Sequence, residues 1–293
     1  MKNDHLLYRR GIFQLLASGF FLSTAGIALR IVEQADGWQI LFYRSIALSI
    51  TILLILVFQK GSGVFDEFRR LDWNDCILAV FLGTGFVTYV FALIYNTVAN
   101  ALFIFSFAPF LAALLGWMLL GERVATRTWF AIGIAISGLA IMVGSELAVS
   151  HYLGTLLALW IPIAYAASVI AVRKSKRDNM LVALCLAGLV ALVLSAFFVN
   201  DYTLTFRDMF ISLYLGVFQV GLGFTLVVLG SRHVPAAQVG LLALVEPILA
   251  PIWVWMGVGE VPGLATIVGG TIIFFAIATD GILNIKNSDI NTS

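Results

Sequence analysis

The sequence predicts an all-α integral membrane protein: ten transmembrane helices arranged as two inverted-topology five-helix repeats, with both termini cytoplasmic. Three observations carry that reading: the scarcity of charge, ten long apolar stretches, and an internal repeat with an odd number of spans. Of 293 residues, 61% are hydrophobic and 11% charged, and the mean hydropathy is +1.02. A soluble domain carries about a quarter charged and roughly half apolar residues, so this chain lacks the polar surface that water requires. Disorder is excluded as well, because that class combines low hydrophobicity with high net charge.

A crossing helix needs about 20 mostly apolar residues. Such stretches run over 11–30, 38–58, 75–95, 98–120, 127–145, 152–172, 180–199, 209–230, 236–258 and 264–282. The longest connection, Gln59 to Asn74, leaves no room for a soluble domain. Runs such as Ile50 to Phe58 do not alternate in polarity, which excludes barrel strands. Arg9 and Arg10 precede the first apolar run, but nine further spans follow it, so it reads as a retained helix and not a secretory signal. Cys76 and Cys185 fall inside spans and are expected to be buried single thiols with no disulfide framework.

Lysine and arginine in short loops mark the cytoplasmic side. With the N-terminus inside, the inner segments hold Lys2, Arg9, Arg10, Lys60, Arg69, Arg70, Arg123, Arg127, Arg173, Lys174, Lys176, Arg177, Arg232 and Lys286, and the outer loops hold Arg30 and Arg207. Of the 17 basic residues, Arg44 alone lies well inside a span and not at its edge.

At an offset of 138 residues Gly83-Thr84-Gly85-Phe86 matches Gly221-Leu222-Gly223-Phe224, Pro109 falls on Pro247, and Gly121-Glu122 on Gly259-Glu260. Gly11 and Arg30 match Gly154 and Arg173 at an offset of 143. The first repeat is therefore placed at 1–147 and the second at 148–293. Five spans per repeat is an odd number, so the second copy is expected upside down. Inverted repeats around a midplane site mark secondary transporters, where exchanging the conformations of the halves gives alternating access.

The Pro109 to Glu122 and Pro247 to Glu260 blocks, Arg44 early in the second span, and the Gly-rich third span leading to Ala99 resemble the drug/metabolite transporter superfamily, specifically its EamA-type ten-helix members. The resemblance covers nearly the whole chain. It implies a secondary carrier of the bacterial inner membrane, with a central cavity lined mainly by helices 1, 3, 4, 6, 8 and 9. Its members include exporters of amino acids and related metabolites, riboflavin and nucleotide-sugar carriers, and sugar-phosphate exchangers, so the motifs specify the substrate poorly. Glu122 and Glu260 would belong to a recurrent turn that caps or braces the next helix.

Ionisable residues inside a bilayer are costly and mark function by default. Glu246 lies ten residues into its span, about 15 Å deep at 1.5 Å per residue. Arg44, six residues into span two, lies about 9 Å below the outer edge. Glu246 is a candidate to bind a substrate amine or to carry a coupling proton, since low dielectric favours a neutral carboxyl. Against that stand a structural Arg44–Glu246 pair and a carboxylate that caps backbone freed by Pro247. The position matching Glu246 in the first repeat is Ala108, so the architecture itself does not require the carboxylate. For Arg44 a structural role as a fork of hydrogen bonds is the favoured reading.

Pro109, Pro247 and Pro251 are candidate hinges, because proline removes a backbone donor and broken helices in carriers face cavities. Pro247 and Pro251 together should make span nine the most distorted. Trp160, Tyr165, Tyr89 and Phe224 lie deep within spans, whereas Trp38, Trp73, Trp129 and Tyr152 stand at span edges, as interface anchors do. With Gln14, Ser18, Ser106 and Gln219 as hydrogen-bonding groups at similar depth, the candidate substrate site comprises Glu246, Trp160, Tyr165, Gln14, Tyr89, Ser106, Gln219 and Phe224. Such a set suits a small amphipathic metabolite bearing an amine. Ala131, Gly133, Ala135, Ser137, Gly138, Ala265, Gly269 and Gly270 are expected to pack helices closely, within the bundle or at a dimer interface.

His5, His151 and His233 stand at or beyond span ends, and no metal spacing, P-loop, GxGxxG, HExxH or GxSxG motif occurs. No metal, no cofactor and no nucleic acid are expected, and a monomer or homodimer remains open. The expected function is a secondary active transporter of an amino acid or other amine-bearing compound, in the export direction, and not an enzyme. The alternatives are an intramembrane enzyme on a lipid substrate, which would need clustered acids or histidines near one face, a passive channel, or a carrier of another class such as riboflavin or nucleotide sugars.

Overall fold

A computed structural model of the chain describes residues 2–121, 124–147, 152–174, 180–234 and 236–290. Glu122, Arg123, His151, Lys176 and Arg177, singled out above, lie outside the described residues. Span one is α1 (Lys2–Ser23) continued by α2 (Ala25–Arg30). Span two is α3 (Gly37–Lys60), from which the short α4 (Val64–Arg69) leads to α5 (Trp73–Tyr95) as span three. Span four is divided into α6 (Val98–Phe105) and α7 (Ala108–Leu120), and α8 (Thr126–Leu147) is span five. α9 (Tyr152–Lys174) and α10 (Leu181–Phe198) are spans six and seven. Span eight runs through α11 (Phe206–Tyr214), a π-helical stretch over Leu215–Leu222, and α12 (Gly223–Gly230). α13 (Ala236–Leu242) and α14 (Val245–Val258) make span nine, and α15 (Leu264–Ile290) contains span ten. Among the described residues, ten segments of 18 to 25 residues are long and apolar enough to cross a membrane.

The helix ends explain themselves locally. Asp36 accepts from the Gln39 amide at 2.8 Å while the Gln39 side chain accepts from the Asp36 amide at 2.9 Å, and Asp72 and Asp75 repeat this reciprocal box at the start of α5. Each box satisfies two of the amides that a helix start leaves without partners. At the other polarity, α7 and α14 both end on a left-handed glycine, Gly121 at φ 69° and Gly259 at φ 72°. Side chains resist that conformation, so these two matched glycines stop the chain at the same point in each half.

Span nine is interrupted at Ala243–Leu244, one turn ahead of Pro247, which has no N–H for the Ala243 carbonyl and occupies the third position of the new helix. Pro251 lies inside a continuous α14. Span four is interrupted within one residue of the matching place, at Ser106–Phe107, ahead of Pro109. The π-helical stretch of span eight is an irregularity the proline pattern did not announce.

Helices of the first half pack mainly on helices of the second. α1 packs on α12 and α14, while α9 packs on α5 and α7; α3 packs on α10, and α8 on α15. Exchanging the halves turns the first pair of contacts into the second and returns each of the others to itself. Without a hydrophobic drive between helices in lipid, such contacts depend on close fit. Between α8 and α15, a Cβ on Gly138 would lie 2.6 Å from the Gly269 carbonyl, and one on Gly269 2.4 Å from the Gly138 carbonyl. Gly270 seats Phe103 in the same way, whereas Gly133 has nothing near it and faces away from the bundle. Cys185 is buried in α10, but Cys76, near the start of α5, is exposed.

The end of the bundle remote from the N-terminus is tied shut by polar contacts. Arg30 pairs with Glu260 at 2.6 Å and donates to the carbonyls of Leu93 at 2.6 Å and Asn96 at 2.7 Å. The second oxygen of Glu260 accepts from the Val98 amide at 2.7 Å, so this carboxylate braces the start of α6 in the other half and not the helix that follows it. Asp208, buried at the start of α11, accepts from the amides of Glu33, Gln34 and Ala35 at 2.9, 3.0 and 3.0 Å. Arg207 pairs with Glu33 on the rim.

Candidate functional site

Between the halves lies a cavity of about 730 Å³. It extends from Arg44 and Tyr89 at mid-bundle to Ala125, Thr128, Ser231 and Asp280 at the end that carries the N-terminus. None of the residues of the polar tie at the opposite end lines it. Spans one, three, four, six, eight and nine supply most of the wall, joined by Arg44 from span two, the residues around Thr128 from span five and Asp280 from span ten.

Glu246 is the second residue of α14, delivered to the cavity by the interruption at Ala243–Leu244. A carboxylate suits that position, since it meets the positive end of the half-helix. It is 7% exposed, and Tyr89 from α5 donates its hydroxyl to one carboxylate oxygen at 3.1 Å. The α14 N-cap makes no side-chain capping bond, and no hydrogen bond from the Glu246 side chain to backbone is present among the described residues.

Arg44 is 3% exposed on α3. Its Nη2 reaches Gln219 Oε1 at 3.4 Å, a long contact. Its Nε has no partner, and its guanidinium carbon stands 5.6 Å from the Phe86 ring centre. The π-helical stretch comes this close to α3 because Gly216 has no side chain: a Cβ there would lie 2.4 Å from the Arg44 carbonyl. The same stretch carries Gln219 into the wall, where its amide nitrogen donates to the Leu22 carbonyl at 3.4 Å. π-Helical irregularities recur at functional sites. No ion pair within 4.0 Å joins Arg44 and Glu246. Both face the cavity separately.

Of the other expected site residues, Tyr165, Ser106, Phe224, Pro109 and Pro247 line the cavity. Tyr165 packs edge-on against Phe105 at 5.6 Å between centroids, and Phe224 against Phe86 at 5.8 Å. The Ser106 hydroxyl is turned back to the Leu102 carbonyl at 2.9 Å, where the helix is interrupted. Three expected residues lie elsewhere. Trp160 sits on the outer face, 37% exposed, stacked on Phe81 and donating to Thr84 at 3.3 Å. Gln14 is half-buried against α12 near Gly230 and does not line the cavity. Pro251 is likewise outside it.

Sequence reasoning missed the polar mouth, where Thr128 donates to Asp280 at 2.8 Å; an aspartate closing a span that ends among inner-side charges was the available signal. It also missed Asn100, fully buried in α6 with neither side-chain polar atom partnered.

Three comparisons with known proteins bear on this geometry. The family model for the EamA-like transporter family matches twice, over residues 9–144 and 152–279. The chain is similar to the pseudopaline exporter CntI of Pseudomonas aeruginosa, 26% identical over 286 residues that cover 90% of this chain and 96% of the relative. It is also similar to an uncharacterized transporter of Vibrio cholerae, 24% identical over 146 residues, 48% of each chain. A solved crystal structure with 18% identity superposes at a TM-score of 0.67 over 93% of this chain and 96% of that one, a likeness of fold.

Proposed function

The chain belongs to the EamA-like transporter family, and from that premise we propose that it is a secondary active transporter exporting a small amphipathic, amine-bearing metabolite by alternating access. Its place as a multi-pass transporter of the bacterial inner membrane follows from the family and the ten spans. The finer reading rests on one observation: a buried carboxylate, Glu246, faces a large apolar cavity with a single tyrosine hydroxyl as hydrogen-bond partner. A protonated amine offers what that carboxylate lacks, and the aromatic wall around it suits an organic cation. Export agrees with the Pseudomonas aeruginosa relative, a pseudopaline exporter.

In this reading the halves 1–147 and 148–293 are inverted repeats, supported by the paired contacts between them and by the two family matches. With the termini in the cytoplasm, the cavity faces the cytoplasm and the Arg30–Glu260 tie closes the outer end. Opening outward then requires that tie to part while the mouth around Thr128 and Asp280 closes. A proton on Glu246 in place of the amine would couple the return step. No reaction chemistry is assigned to the chain.

The test is counterflow in proteoliposomes across a panel of amino acids and amines, with and without a pH gradient. Saturable counterflow of an amine-bearing solute is expected, and Glu246→Gln should abolish both the transport and its response to the gradient. If no solute shows saturable counterflow, the reading fails. If Glu246→Gln transports normally with the wild-type response, the role of Glu246 fails.

A further inference from the structure

We propose that Arg44 is the anion-binding subsite of the cavity, so that the transported compound is a zwitterion whose carboxylate meets Arg44 while its amine meets Glu246. The inference rests on the amine reading of Glu246 and adds a second recognition point to it. Arg44 has five N–H donors in a fixed fork. One of them makes a single long contact with Gln219, and Nε makes none. A guanidinium removed from water without an anion is expensive, and Glu246, beyond 4.0 Å, does not neutralise it. The fork is the geometry that binds a carboxylate through two parallel hydrogen bonds.

A purely structural arginine would be expected to fasten α3 to its neighbour. Here the close approach of α3 and span eight is secured by Gly216, whose missing side chain admits the Arg44 carbonyl. Beyond its long contact with Gln219 and its place over Phe86, the side chain of Arg44 faces the cavity it lines. Tyr89, which lines the same cavity as Arg44, holds Glu246 by its hydroxyl at 3.1 Å.

Complementarity then discriminates by charge pattern. An amine without a carboxylate leaves Arg44 bare in low dielectric, and an acid without an amine leaves Glu246 bare. A zwitterion answers both. Around these two points the wall is apolar, with Leu15, Leu22, Leu82, Phe105 and Phe224, and 730 Å³ exceeds the needs of the smallest amino acids. The ligand therefore carries a sizeable hydrophobic or aromatic body beside its two charges.

The experiment measures transport in proteoliposomes of matched sets: L-amino acids with aliphatic and aromatic side chains, the corresponding amines lacking the carboxylate, and the corresponding acids lacking the amine. Wild-type protein should move zwitterions at least about tenfold better than either partner compound, since a site built to bond a group rejects the analogue without it. Arg44→Gln should remove the advantage over the amine, bringing zwitterion transport down to that of the matched amine in the same variant, while Arg44→Lys keeps part of it. If the wild-type protein moves amines as well as zwitterions, or if Arg44→Gln keeps the discrimination, the inference is overturned and the amine reading of Glu246 stands. If neither zwitterions nor amines move, both fall. Because the wild-type comparison needs no variant, a failure of Arg44→Gln to fold leaves the proposal open to refutation.

Discussion

Two arginine–glutamate couples stand at different depths of this bundle, and they behave oppositely. Arg30 and Glu260, at the end remote from the N-terminus, meet at 2.6 Å, and the remaining donors and oxygen find the Leu93 and Asn96 carbonyls and the Val98 amide. Arg44 and Glu246, deeper and more buried, do not touch, and each is left with unfilled hydrogen-bonding capacity. The first couple joins α2, α6 and the end of α14, so its energy is invested in keeping that end closed. The second is held apart across a cavity, so its energy is available to a ligand. The same residue types therefore form a latch where they are paired and a receptor where they are not.

The largest expected effect breaks the receptor. Glu246→Gln removes one partner of a buried charge-assisted contact, which costs about 3 kcal/mol, or roughly a hundredfold in affinity for an amine. Titration calorimetry of purified protein with a transported amine reads this directly, and an unchanged affinity contradicts the contrast drawn above. Gly216→Val comes next. Its Cβ would lie 2.4 Å from the Arg44 carbonyl, and the forced separation of α3 from span eight should cost about 3 kcal/mol of stability. Thermal unfolding in detergent should show a clear loss, and retained stability means the contact is not tight.

Glu260→Gln tests the latch. Loss of a charged hydrogen-bond partner is worth about 2 kcal/mol, which should raise the population open at that end. A cysteine introduced by Ala99→Cys, buried at the start of α6, should then react faster with a membrane-impermeant reagent from the face opposite the N-terminus; an unchanged rate removes the tie from the gating step. Smaller still are Gly121→Ala and Gly259→Ala, each expected to cost about 1 kcal/mol for a left-handed residue. Both should lower thermal stability alike, but only Gly259→Ala, next to Glu260, should also speed the labelling. Equal labelling in the two sharpens nothing and argues that Glu260 is positioned by other contacts. Trp160→Phe, on the outer face, should change transport by no more than about 0.5 kcal/mol equivalent, and a large loss would move the site outward.

The spans and the two deep charges were legible in the sequence because a bilayer is an unforgiving solvent: length and charge depth suffice to place them. Rotation about a helix axis was not. Lipid and protein interior are both apolar, so Trp160 and Tyr165, five residues apart in α9, read alike although one faces outward and the other lines the cavity. The interruptions ahead of Pro109 and Pro247 follow from the missing proline N–H, whereas the π-helical stretch around Gln219 lies where Gly216 gives α3 its seat, a tertiary contact. Glu260 was read as a local brace; that it reaches across to Arg30 and Val98 is a property of the assembled halves. For Arg44 and Glu246, depth was readable but separation was not, since two residues in different spans at neighbouring depths either meet or flank a cavity.

The central claim is that Glu246 is the cavity's receptor for the amine of an exported compound. Counterflow of a transported amine-bearing compound, compared between wild-type protein and Glu246→Gln reconstituted at equal amounts, tests it most directly. The account predicts saturable counterflow in the wild type and its loss in the variant with the fold intact by thermal unfolding; wild-type counterflow in the variant would contradict it.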